Sequence, residues 1–367
     1  MKRISCILII VLLAFGGCAR SEKETPSGVQ PIDIQKVELS NLRLSENQAF
    51  GVSDYYNNQL LLLVYDTKKR DPREEESMQA PEVYCVKFVL YDMFTQEIVE
   101  EFPIEQFGSC LSATYAYDGV LLTWVTYQNQ DRKPDSSIRY INKQGTKRVY
   151  DLSITKFALG PLLYRCNGEV VFSYTNELTD GEYGVKKITS NLSVEPLLTF
   201  SPSQSDNMSD EIVVSKDRYV YAVGEEGQVT FYVGGTTQSP IKFSLPKGEK
   251  IYSFGLTEDW LIVSRHKTDS EGGGNCLERF DLKGNSVELY DVVQPVYFLT
   301  GASGNRFCGF NSYTPVELFE ITDTIERVEY DTNAIDSTYT SGLTNGENFM
   351  ITSYDKVIPG IWRVAFS

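Results

Sequence analysis

One histidine, His266, serves a chain of 367 residues. That scarcity argues against a transition-metal centre built on imidazole. A Ser–His–Asp triad would have this single candidate base, with Asp259 or Asp269 as its orienter. No Gly-x-Ser-x-Gly elbow supplies a nucleophile. His266 follows Arg265 at the end of an apolar run, so it reads as a loop-edge residue. Basic residues are also few: 34 Lys and Arg stand against 50 Asp and Glu, for a formal charge of −16. Nucleic acid is excluded as a partner, because phosphate contacts need cations. Apolar runs fall short of the ~20 residues of a membrane-spanning helix, and helical periodicity is almost missing.

Cysteine pairs at zinc spacing are missing too. Beyond Cys6 and Cys18 the chain has Cys85, Cys110, Cys166, Cys276 and Cys308, none in a Cys-x-x-Cys arrangement. Apolar and aromatic neighbours, as in Tyr84-Cys85-Val86 and Phe307-Cys308-Gly309, mark most of them as buried small hydrophobes. Spacing selects no disulfide pairing among them. The acidic stretches Arg73-Glu74-Glu75-Glu76 and Asp206 to Glu211 lack the Asp-x-Asp-x-Asp-Gly order of a calcium loop and read as solvated loops. Gly272-Gly273-Gly274 precedes no helix start, so it cradles no phosphate. Nothing singles out two carboxylates for glycoside chemistry. The sequence therefore assigns no catalytic, cofactor-binding or metal-ligating residue, and the ligand-binding residues stay unassigned.

What is present is a repeat. A turn of Asn, Asp or Gly leads into a very apolar run, then an alternating strand, then a further short strand. The turns at Asn58, Gly119, Gly168, Asp217, Asp259, Asn305 and Gly346 are 61, 49, 49, 42, 46 and 41 residues apart. Periods near 40–50 residues are those of propeller blades. Later strands follow each run, such as Val83 to Tyr91 with Glu97 to Phe102, and Leu277 to Leu282 with Ser286 to Tyr290. An innermost strand precedes each turn, as in Ile251 to Thr257. The expectation is an all-β chain forming a single β-propeller of seven four-stranded blades, with six or eight as neighbouring solutions. A row of unrelated β-sandwich domains would leave the regular period unexplained.

The seventh unit is one strand short. It offers Ser337 to Leu343, the run from Asn348 to Thr352, and Gly360 to Phe366. The alternating segment Ile32 to Leu39 precedes the first unit and can supply the missing strand. Pairing the N-terminal strand with the last blade closes the ring and covers a sheet edge.

The first residues have the order of a secretory signal. Met1-Lys2-Arg3 is positive, Ile4 to Phe15 is apolar apart from Ser5, and Gly16-Gly17-Cys18 follows. Residues 19–31 are polar, contain Pro and Gly, and read as a flexible tether. The Phe15-Gly16-Gly17-Cys18 ending resembles the lipobox of bacterial lipoproteins, with Phe15 where Leu is usual. With the repeat across residues 32–367, the whole resembles the β-propeller lipoproteins of Bacteroidales-type bacteria. The resemblance is architectural: no Trp-Asp dipeptides recur, and the kelch double-glycine signature is missing. It implies removal of residues 1–17, lipidation of Cys18 by three acyl chains of the palmitate type, and a mature domain over 32–367. Losing Lys2 and Arg3 moves the formal charge from −16 to −18. Asp323-Thr324-Ile325 and Asp336-Ser337-Thr338 resemble short O-glycosylation sites of Bacteroidota, and Ser21-Glu22-Lys23-Glu24 resembles their surface-export signals.

These readings lead to a cell-envelope protein held on a membrane, expected to be the outer one, by its lipid. It is expected to be a non-enzymatic binding or scaffold module for a protein or small ligand, with no cofactor. Two alternatives are a propeller-type glycan or lactone hydrolase or lyase using carboxylates converging at the axis, and a component of envelope assembly. The aromatic content of 23 Tyr, 19 Phe and 3 Trp serves packing between blades first and a sugar platform second.

Overall fold

A continuous apolar run buried on both faces needs a sheet packed against either side of it. The second strand of each repeat meets that condition. The structure, a computed structural model, describes residues 32–69, 83–128, 133–152, 161–176, 182–200, 212–215, 217–225, 227–234, 240–245, 248–268, 274–302, 304–311, 314–335, 340–344, 348–353 and 359–366. Cys18, the tether, both acidic stretches, Asp269, Gly272-Gly273 and Asp336-Ser337-Thr338 lie outside the described residues.

The described residues form antiparallel strands and one 3-10 turn at Thr332–Ala334. After β1 (Ile32–Lys36) come β2 (Gln48–Tyr56), β3 (Gln59–Asp66), β4 (Val83–Asp92), β5 (Glu97–Ala116), β6 (Gly119–Gln128), β7 (Lys133–Asn142) and β8 (Gly145–Leu152). Strands β2 to β8 make one seven-stranded sheet in chain order. A four-stranded meander follows of β9 (Tyr164–Cys166), β10 (Glu169–Asn176), β11 (Glu182–Ile188) and β12 (Val194–Phe200). The next comprises β13 (Ile212–Ser215), β14 (Arg218–Glu225), β15 (Gln228–Gly234) and β16 (Ile241–Ser244). Then come β17 (Lys250–Leu256), β18 (Trp260–Lys267), β19 (Gly274–Asp281) and β20 (Ser286–Val292), and after them β21 (Phe298–Ala302), β22 (Arg306–Asn311), β23 (Thr314–Ile321) and β24 (Ile325–Val328). The last sheet holds β25 (Thr340–Thr344), β26 (Phe349–Ser353) and β27 (Ile361–Phe366), with β1 as its fourth strand. Ile32 pairs with Phe366, Ile34 with Val364 and Lys36 with Trp362.

The expected break between the outer strand at Glu97 to Phe102 and the innermost strand before Asp118 is not there. β5 runs unbroken from one role to the other: Glu97 to Gly108 pairs with β4, and Ser109 to Ala116 pairs with β6. Gly108 sits at the junction because the Trp124 indole lies against its backbone. A Cβ there would come within 2.3 Å of that ring.

Burial matches the sequence pattern. In β3, Leu60, Leu61, Leu62 and Val64 are buried, and β26 is buried throughout. Outer strands alternate instead, as in β20 with Val287 and Leu289 exposed. Seven apolar clusters lie between successive four-strand units rather than inside them. One joins Leu61 and Phe88 to Leu122 and Trp124, and another joins Phe231 and Ile241 to Phe254 and Phe280. One more joins the chain's last strands to its first: Met350 and Ile361 pack with Phe50, Leu60 and Leu62. Full burial of each large side chain contributes about 1.5–3 kcal/mol.

Candidate functional site

The first strand of each unit is its innermost. β2, the second half of β5, β9, β13, β17, β21 and β25 touch in that order, and β25 touches β2. These strands are short and mostly apolar or small. Among their described residues the charged ones are Asp54, Arg165 and Lys250.

A β-bulge aims Asp54. Val52 pairs with Leu62 and Asp54 with Leu61, leaving Ser53 extra on β2. The same irregularity recurs at Leu111 on β5 and at Tyr252 on β17. A bulge turns the following side chain away from the regular pleat. In all three cases that side chain is polar and reaches the next unit. Asp54 Oδ2 accepts from Thr114 Oγ1 at 2.7 Å and from the Tyr115 N–H at 3.1 Å. Ser112 Oγ accepts from the Leu163 N–H at 3.0 Å, and Ser253 Oγ donates to the Val296 carbonyl at 2.8 Å.

Arg165, on β9, completes the first of these ties. Its Nη2 donates to Asp54 Oδ1 and to the Tyr55 carbonyl, both at 3.0 Å, and its Nη1 donates to the Tyr115 carbonyl at 3.1 Å. Its guanidinium lies 3.7 Å from the centre of the Tyr56 ring. Burial pulls the Arg165 guanidinium below its ordinary range, and Asp54 opposes that. The group clamps three innermost strands together through a planar fork. Both charges are therefore committed to protein partners.

Tyr115 links this clamp to a cleft. A cavity of about 390 Å³ is lined by Glu100, Tyr115, Asp118, Asn142, Lys143 and Gln144. Lys143 Nζ pairs with Glu100 Oε1 at 2.9 Å. Asn142 Oδ1 accepts from the Gln144 N–H at 2.9 Å. Tyr117 and Asp118, the turn between β5 and β6, both have φ of 57°. Such a turn favours Asn and Gly, which is what the equivalent turns Asn57-Asn58 and Asn167-Gly168 use. Here Tyr117 is held by its hydroxyl, which donates to the Ile188 carbonyl at 2.5 Å, and by its own carbonyl, which accepts from the Tyr140 hydroxyl. Burial raises the Tyr115 phenol, and the Asp118 and Glu100 carboxylates push it the same way.

The residues singled out from the sequence fall elsewhere. His266 is the penultimate residue of β18, at the end of the apolar strand, and its Nδ1 is 3.3 Å from Asn275 Oδ1. Asp259 precedes the other end of β18 and accepts from Asn305 Nδ2 at 2.9 Å. Strand rise of ~3.3 Å per residue places the two roughly 20 Å apart, so they form no triad. The five cysteines among the described residues are free thiols; Cys110 is half-buried and the rest are buried. Burial pushes the thiols of Cys85 and Cys166 up to about 12. Among the described residues, no group of three or more His, Cys, Asp or Glu could hold a metal ion. No helix among them is long and apolar enough to cross a membrane. Thr324 is exposed in the turn between β23 and β24.

No family model matches the chain, and neither does any curated protein. Solved structures do. The chain is similar to the β-propeller domain of the Trilobed protease from Pyrococcus furiosus, with a TM-score of 0.51 and 10% identity, over 87% of this chain and 94% of that one. Hydrazine synthase from Kuenenia stuttgartiensis aligns with a TM-score of 0.46 and 9% identity, over 84% of this chain and 93% of that one. A quinoprotein alcohol dehydrogenase-like protein from Bacteroides thetaiotaomicron VPI-5482 aligns at 0.39 and 14%, over 69% and 68%. The meanders and the first of these likenesses agree: the chain has a β-propeller fold.

Proposed function

We propose that the protein is a lipid-anchored binding or scaffold module of the bacterial cell envelope, built on a closed seven-bladed propeller. On this reading the seven-stranded sheet is two blades sharing β5, and β1 with β27 closes the ring. The ladder from Ile32 to Lys36 and the seven inter-unit clusters support it. Cys18 carries the lipid and residues 19–31 form the leash, with the outer membrane as the site of attachment. The order of charge, apolar run and Gly16-Gly17-Cys18 supports that assignment.

The observation that carries the binding role is the state of the innermost strands. Their one carboxylate among the described residues, Asp54, is spent on Arg165, Thr114 and two backbone N–H groups. Channel catalysis would need acids that converge and stay free to act on a substrate. A rigid ring with loops at either end suits recognition. The test is chemical cross-linking in intact envelopes followed by recovery of the tagged protein in detergent. A defined partner recovered at near-equal amounts with wild type, and Cys18-dependent membrane retention, are expected. No partner together with turnover of glycan or lactone substrates overturns the reading.

A further inference from the structure

We infer that the cleft between the first two blades is a binding site for a neutral polyhydroxylated ligand, a sugar residue of mono- or disaccharide size. This rests on reading the protein as a binding module. A volume of about 390 Å³ lies within the usual range for small-ligand sites. The chemistry of the walls narrows the ligand.

A sugar hydroxyl donates and accepts at once, so its site needs both kinds of partner within a short span. The cleft supplies them. Asp118 accepts only, Lys143 donates only, and the Asn142 and Gln144 amides and the Tyr115 phenol do both. Lys143 and Glu100 neutralise one another at 2.9 Å. One uncompensated carboxylate, Asp118, then remains, with no hydrogen-bond partner among the described residues. A phosphate or carboxylate ligand is disfavoured beside it. Tyr115, half-buried against Phe102, brings the rest of its side chain to the cleft wall.

The cleft is also preorganised. The turn that presents Asp118 holds Tyr117 in a left-handed conformation that a residue with a side chain rarely adopts. Two hydrogen bonds through Tyr117 fix it there. Gly119 admits no side chain, because a Cβ would lie 2.6 Å from both the Tyr140 ring and the Ile141 carbonyl, which close on the turn. From behind, the main chain of Tyr115 is gripped on both its N–H and its carbonyl, by Asp54 and by Arg165. Strain held by packing on one side and open polar groups on the other is the arrangement of a ligand clamp.

Saturation-transfer NMR on the tagged protein tests this, with methyl β-glucoside, maltose, cellobiose and N-acetylglucosamine as probes and choline as the cationic control. At least one saccharide is expected to bind, with affinity falling about tenfold or more in Asp118→Ala and in Asn142→Ala, as for one lost hydrogen bond at each. Affinity should change less than about twofold between ~20 mM and ~500 mM salt, since no ion pair is formed. Thermal melting of both variants checks that they fold. Saccharides that give no transfer, binding unaltered in both folded variants, or preferential binding of choline with steep salt dependence would each overturn the inference. Envelope cross-linking of Asp118→Ala separates the two readings. A partner recovered as with wild type, without sugar binding, sinks the cleft and leaves the module. No partner and no sugar sinks both.

Discussion

Asp54 and Arg165 stand 111 positions apart in the chain and 3.0 Å apart in the fold. Thr114 and Tyr115, on the strand between them, close the same network. The pair therefore measures whether the first three blades are locked as one body. Arg165→Leu strands Asp54 in a largely dry setting, where breaking a buried pair costs about 3–5 kcal/mol. A value near 3 kcal/mol is expected here, because each side chain keeps 16–17% exposure. Urea unfolding of Asp54→Asn, Arg165→Leu and the double variant should give a double-variant loss well below the sum. Additive losses would show that the contact is incidental.

The ladder between β1 and β27 gives a second expectation. The double variant Ile34→Ala/Gln35→Pro removes a partly buried side chain that packs near Phe349 and Trp362 and a ladder donor, because the Val37 N–H donates to the Ile361 carbonyl and the alternation turns the Gln35 N–H to the same partner strand. Stability should fall by about 2–3 kcal/mol, and the bared β27 edge should promote self-association. Differential scanning fluorimetry and light scattering read the two effects. A melting point equal to wild type would mean that β1 contributes no closure.

Alkaline pH supplies a third. Burial raises the thiols of Cys85 and Cys166 and the phenols of Tyr219 and Tyr330 to about 12. The folded state thus favours the neutral forms. Their contribution is complete below the unfolded values, near 8.5 for Cys and 10 for Tyr, and is lost as pH rises from there toward 12. The urea midpoint should decline steadily above pH ~9. Ellman's reagent at pH ~8 should find the four buried thiols only after denaturation. A flat or rising midpoint between pH ~8 and ~11 contradicts this.

Arg265 carries two carboxylates, Glu278 through Nε at 2.6 Å and Glu249 through Nη1, with all three nearly buried. Arg265→Met leaves two buried acids unpaired and should cost about 3–5 kcal/mol. Glu249→Gln keeps an acceptor and leaves one acid per Arg, so it should cost far less. Thermal melts of the two variants in parallel decide the order, and a milder Arg265→Met would refute it.

Gly108→Ala tests the junction inside β5. The new methyl would meet the Trp124 ring at 2.3 Å, and overpacking of that kind costs about 1–3 kcal/mol. Trp124→Phe in the same background should recover part of the loss.

How much of this was legible in the sequence varied with the physics behind each part. Leu60 to Tyr65, Val120 to Val125 and Asn348 to Thr352 announce central strands, because burial on both faces demands an unbroken apolar run. The pairing of Ile32 to Lys36 with the last strand followed from counting strands. The continuity of β5 did not, since Gly108 looks like a turn residue and only the Trp124 contact explains its place inside a strand. The Asp54–Arg165 pair carries no such signal. Their meeting depends on a one-residue bulge at Ser53 and on the succession of innermost strands β2, β5 and β9, and neither leaves a local signature. A charged residue on a short innermost strand, as in Tyr164-Arg165-Cys166, was the one available cue. The cleft was hidden for a similar reason: Asp118 and Asn142 belong to separate turns that the blade geometry brings side by side.

The placement of the apolar clusters bears on how such a chain can be cut, copied or lost. Each unit shares its oil with two neighbours and owns none outright. Removing one unit strips a face from both, and inserting one requires two new matching faces. The indivisible part of this molecule is therefore the seam, not the petal. It should melt as a whole, and change its number of units only by steps that keep every seam filled.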